Sequence, residues 1–217
     1  MILLLTALFL GFLHGLGPDH LMAIAALSLG GDAQGSTRRA RAIAVAVRFA
    51  AGHAVLLAAG AGLIVAIGWA IPARVERGGE MLGGALLIVM GGLTLQHLFA
   101  PRDHRDERLP RRSRVAAKAG TSHSHVPTMI GAAFAVSSLR ALAMLTPFGS
   151  DLGTAPLPLL IGLIAVFAAG IMTSMVLFGV ALAGVLSTRA LQRLGHGAGA
   201  LVGVSSIVLG VAWLATA

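Results

Sequence analysis

Residues 12–23, FLHGLGPDHLMA, set His14, Asp19 and His20 beside Gly15, Gly17 and Pro18 in a run that is otherwise apolar. Two imidazoles and a carboxylate are donors for a divalent ion of the nickel, cobalt or zinc type. Neutral His and ionised Asp are the binding forms, so binding weakens as pH falls. His53 follows Gly52 in a second apolar run and is the candidate fourth ligand. In the plainer alternative, Asp19 caps a helix that starts at His20, and a lone His14 or His53 is a hydrogen-bonded packing residue.

The elements that must carry these residues are membrane spans. Of the 217 residues, 57% are hydrophobic and only 11% charged, and the mean hydropathy is +0.89. A soluble domain carries about 25% charged residues. Six apolar segments stand out, at about 2–30, 42–71, 80–99, 127–148, 155–187 and 197–216. A helix satisfies its own backbone in lipid, so each is expected to be helical. The opening MILLLTALFL lacks a basic start and a small-residue cleavage site, so it is taken as a mature span rather than a signal peptide.

Charge sorts the connectors. Arg38, Arg39 and Arg41 lie in the first, and Arg102, Arg105, Arg108, Arg111, Arg112, Arg114 and Lys118 in the third. Arg189 and Arg193 lie in the fifth, whereas the opposite side holds Arg74 and Arg77. The positive-inside rule places the basic connectors in the cytoplasm and both termini outside it, in a multi-pass protein of the cell membrane or bacterial inner membrane. The net charge of +8 is thereby accounted for without nucleic acid. There is no cysteine, which excludes thiolate ligands, Fe–S sites and thiol redox relays.

Span one is too long to cross straight. Its roughly 29 residues would form a helix of ~43 Å, against a hydrocarbon core of ~30 Å. Gly17 before Pro18 supplies a break. On an unbroken helix, Asp19 would lie about 140° around from His14, and His20 about 120° away on the other side. Unwinding at Gly-Leu-Gly-Pro is what would let all three face one ligand.

The two halves resemble each other at offsets of 118 to 120 residues. FAAGH at 49–53 recurs as FAAGI at 167–171, and IVMGGLTL at 88–95 as IVLGVAWL at 207–214. GFLHGLGPDHLMA at 11–23 lies over GAAFAVSSLRALA at 131–143, which matches Gly11 to Gly131 and His20 to Arg140. Three spans per copy give an inverted-topology repeat, with a site near mid-membrane where the copies meet. The divisions are 1–100, a first three-helix repeat; 101–126, a hydrophilic cytoplasmic linker; and 127–217, the second repeat. FAVSSLRALAMLTPFG is the candidate second broken helix, with Ser137 and Ser138 satisfying loosened carbonyls. His123 and His125 close the linker as secondary metal-collecting candidates, a solvated loop being the plainer alternative. Arg140 either pairs with Asp19 or guards the pathway; an arginine raises the cost of cation binding and would suit an anion better.

His14-x4-Asp19-His20 resembles the HX4DH signature of the nickel/cobalt transporter (NiCoT) family and its UreH-like, urease-accessory relatives. FAAGHAVLL at 49–57 resembles the family's second signature, and FAAGIMTSMVLFG a late span of the UreH-like members. The resemblance implies nickel or cobalt transport, with His14, Asp19, His20 and His53 required for it. Two departures stand beside it. NiCoT proteins have eight spans rather than six, and where an acidic third signature is expected this chain has Ser137, Ser138 and Arg140.

The expectation is therefore an all-α integral membrane protein of about six transmembrane helices in a 3+3 inverted-topology repeat. It would move Ni²⁺ or Co²⁺ as substrate and hold no cofactor. Its partners would be the lipid bilayer, the metal ion, and a further copy of the chain or a metallochaperone. The alternative is a secondary exporter of a small anion or organic solute that uses Arg140. An enzyme is not expected: an intramembrane metalloprotease needs H-E-x-x-H or a similar pair, and the chain has none.

Overall fold

The computed structural model describes residues 1–29, 36–67, 72–99, 125–138, 156–186 and 195–216. Seven helices cover them: α1 (Ile2–Gly15), α2 (Pro18–Leu29), α3 (Ser36–Ile67), α4 (Ala73–Phe99), α5 (Val126–Ser137), α6 (Leu157–Leu186) and α7 (Gly195–Thr216). No strand occurs among the described residues.

Two helices begin earlier than the apolar segments do. α3 starts at Ser36 and takes in the basic residues expected as a connector, and α4 starts at Ala73 rather than near residue 80. Arg, Glu and Ala are good helix formers, so the helix continues beyond the apolar stretch. The Pro72 carbonyl opens α4, accepting the N–H groups of Val75 at 2.8 Å and Glu76 at 3.2 Å.

The distribution of side chains is that of a protein in lipid. Val55 is 67% exposed and Leu201 69%, while Asp19 is 4% exposed and His53 fully buried. Burial of polar groups beneath an apolar exterior suits hydrocarbon surroundings. α3, α4, α6 and α7 are long and apolar enough to cross a membrane, and α1 with α2 make a fifth span if the bent pair counts as one. α5, at 12 residues, is too short to cross by itself. The remainder of the expected fourth segment lies outside the described residues.

Close helix approaches are made at glycines, and they come in matched pairs. A Cβ on Gly11 would collide with the carbonyl oxygen of Phe167, and a Cβ on Gly131 with that of Phe49. Gly170 stands in the same way against Leu8, and Gly52 against Thr128. Between α4 and α7, Gly84 opposes Gly210 and Gly91 opposes Gly203, so the two helices run antiparallel. Without a hydrophobic drive between helices in lipid, such van der Waals contact is what holds them together.

Candidate metal centre

The site begins where α1 stops. The Leu16 N–H donates to the Leu13 carbonyl at 3.1 Å and the Gly17 N–H to that of His14 at 2.9 Å. These three-residue bonds tighten the last turn. α2 then starts at Pro18, whose missing N–H would have lacked a helical partner there in any case. The two axes differ by 53°.

Gly17 is needed at this bend for space. A Cβ there would sit 2.6 Å from Asp19 Oδ1 and 2.9 Å from His20 Nδ1. The carboxylate and the imidazole occupy the room that any other residue would fill. Gly15 has an equivalent role against α6, where a Cβ would strike Ser174 Oγ and lie 2.9 Å from the Ile171 carbonyl oxygen.

The bend brings His14 and His20 to His53 on α3. One ring nitrogen of each lies within 4.8 Å of one on each of the others. Ring centroids are 4.6 Å apart for His20–His53, 5.0 Å for His14–His20 and 5.8 Å for His14–His53. His14 Nε2 and both ring nitrogens of His53 are buried without a hydrogen-bond partner. An orphaned buried polar group costs about 1–3 kcal/mol. A neutral imidazole has one lone-pair nitrogen, and one such nitrogen from each of these rings, brought to one place, fits a cation.

Phenyl rings flank the imidazoles. Phe49 lies parallel to His53 at 6.2 Å and Phe167 is stacked on His14 at 6.0 Å. Phe134 stands 6.2 Å from His20. Phe49, Phe134 and Phe167 are all buried, and they keep the imidazole cluster dry on the α3, α5 and α6 sides.

Asp19 stands outside the three-nitrogen group and reaches it through His20. Its Oδ1 lies 2.9 Å from His20 Nδ1, a bent contact that falls short of hydrogen-bond geometry. Ser138 Oγ lies 3.4 Å from Nε2 of the same ring. The nearer, charged oxygen favours the proton on Nδ1, which leaves Nε2 as the electron-pair donor. That is the usual relation of a carboxylate to a metal-binding histidine. Because α2 starts at Pro18, Asp19 sits inside its first turn rather than ahead of it, where the helix dipole favours negative charge.

A cavity of about 440 Å³ opens beside the cluster. His14, Gly17, Pro18, Asp19 and His20 line it, together with Ser137 and Ser138 at the end of α5. Glu80, Trp213 and Thr216 complete the lining. These last three are absent from the sequence reading. Glu80 stands at the edge of the expected apolar segment 80–99; since α4 starts at Ala73, it lies two turns inside the helix. An acidic residue at the edge of an apolar run beside a Gly-Gly pair was the available signal.

The remaining candidates lie apart. His125 is exposed and precedes α5 as its N-cap. His123 and Arg140 lie outside the described residues, so the readings placed on them, including the anion contact, stand on sequence alone. No model of a known protein family, no curated protein and no solved structure matches the chain.

Proposed function

We propose that this chain is a membrane transporter of a divalent transition-metal cation, Ni²⁺ or Co²⁺, which passes through the site at the broken first span. The observation that carries this is the convergence of buried His20 and His53 with half-buried His14, ring nitrogens of His14 and His53 lacking hydrogen-bond partners, beside an open cavity. A resident structural metal would be closed in by its ligands; here the cluster adjoins space large enough for an ion to come and go. The HX4DH-like spacing of His14, Asp19 and His20 supports the same reading.

The chain would have six spans in a 3+3 inverted repeat, its basic connectors cytoplasmic and both termini on the other side of the cell membrane. The paired glycine approaches support this, because Gly11–Phe167 and Gly131–Phe49 exchange residues that the repeat makes equivalent. The sixth span would use residues beyond Ser138. A G-x-x-x-x-G-K-[ST] nucleotide loop is absent from the sequence, so transport would be secondary or driven by a partner subunit.

The test is metal flux into proteoliposomes across a panel of divalent cations, with His14→Ala as control. Flux of Ni²⁺ or Co²⁺ that the substitution abolishes is the expected result. Flux indifferent to His14→Ala, or efflux of an anion with no metal movement, would overturn the reading.

A further inference from the structure

The cavity beside the cluster has a lining with a definite chemical bias. The three hydroxyl groups that its described residues supply have already committed their protons to the backbone. Ser137 Oγ donates to the Phe134 carbonyl at 2.7 Å and Ser138 Oγ to the same carbonyl at 3.0 Å. Thr216 Oγ1 donates to the Ala212 carbonyl at 3.1 Å. A hydroxyl has one proton to give, so these groups present acceptor oxygens to the cavity. Asp19 and Glu80 add two carboxylates to the same lining. Among the described residues no Lys or Arg lines the cavity, and apart from the imidazoles only the Trp213 indole brings a side-chain N–H. Such a surface takes a hydrated cation and gives an anion little to bind.

Packing sets Glu80 at the outer part of this space. A Cβ on Gly79 would collide with the Val136 carbonyl oxygen, and one on Gly83 would lie 2.7 Å from Ser137 Cβ. These two glycines let the end of α5 close against α4, with Glu80 between them in sequence. Because α4 and α7 are antiparallel, Glu80 is level with Trp213 and Thr216 at the last turn of α7. In the orientation proposed above, that end faces away from the cytoplasm.

We infer that Glu80 gathers the divalent cation at the mouth of an acceptor-lined vestibule and passes it, still hydrated, to the histidine cluster. The inference rests on the proposed metal site, with Glu80 as a steering group outside the final ligand set. A charge at the rim of a binding site acts on the association rate and on its salt dependence, and clefts of one sign raise local ion concentration.

The experiment is stopped-flow Co²⁺ binding to the purified full-length chain in detergent, with the cobalt absorption bands recorded at the end point. Glu80→Gln is expected to slow association about 3- to 10-fold at low ionic strength, with the gap closing as salt screens the charge. The end-point bands stay as in the unaltered chain, because the ligands are unchanged, and Glu80→Asp keeps most of the rate. Equal rates at low salt would overturn the inference. So would a deficit that ignores salt, which marks a structural role, or altered bands, which would make Glu80 a ligand. His14→Ala separates the levels. If the unaltered chain binds Co²⁺ and His14→Ala does not, the site stands and the Glu80 comparison decides the vestibule alone. If the unaltered chain binds no Co²⁺, the site reading and the vestibule both fall.

Discussion

The helices that precede residue 100 and those that follow residue 125 meet through matched glycine contacts, yet the three clustered imidazoles all lie in the first set. Gly11 and Gly131 occupy corresponding close approaches, as do Gly52 and Gly170. At the positions between, the sets part. At sequence offsets of 120 and 118, His14 corresponds to Phe134 and His53 to Ile171. Ile171 is as fully buried as His53, and Phe134 is buried where His14 is half-buried. The comparison separates two demands on the sequence. Glycines at fixed places let the backbones touch, and both halves meet that demand. The imidazoles of the cluster come from the first set alone, and at the corresponding positions the second has a phenyl ring and an aliphatic side chain.

The sharpest way to test this division is to make the first half like the second. His53→Ile should lower Co²⁺ or Ni²⁺ affinity by more than about 100-fold, beyond what loss of a supporting group costs. Thermal stability should hold or rise, because two orphaned buried nitrogens give way to apolar contact. Ile171→Val, at the matched place, should leave metal affinity unchanged and cost about 0.5–1.5 kcal/mol of stability. Calorimetric titration and thermal melts of the purified chain measure both quantities. A similar loss of affinity in the two variants would end the distinction between a ligand half and a wall half.

A smaller effect is expected at Asp19. Asp19→Asn keeps the shape and removes the charge beside His20 Nδ1, and should weaken metal binding about 10- to 100-fold. A loss as large as that of His53→Ile would place the carboxylate on the metal. The smallest effects test the shared frame. Gly11→Ala and Gly131→Ala should each destabilise by about 1–3 kcal/mol, and by similar amounts, since each meets a carbonyl oxygen in the same way. Gly62, which has nothing within 4 Å of a built Cβ, should tolerate alanine or gain about 0.5–1 kcal/mol. Unequal losses at Gly11 and Gly131 would break the matched packing.

Much of this site could be read from residue types alone. Gly17-Pro18 announces a break inside a run too long to cross straight, and the axes do turn there by 53°. The angular argument on an unbroken helix shows why His14 and His20 need that break to meet. Other parts had no local signal. Asp19 is nearer to His14 in sequence than His20 is, yet the histidines share a centre and the aspartate stands behind one of them. Glu80 is one charged residue in PARVERGGE until α4 is seen to start at Ala73. Phe49, Phe134 and Phe167 are ordinary core residues until the imidazoles appear between them.

The sequence by itself determined the solvent of this protein, the helical form of its segments, and the place where the first span bends. Those follow from solvation and backbone constraints that act over one or two turns. Tertiary structure alone decided which imidazoles meet, which carboxylate stands beside them and which side chains line the adjoining cavity. Those outcomes depend on how near two helices come, and glycines far apart in the chain set that distance.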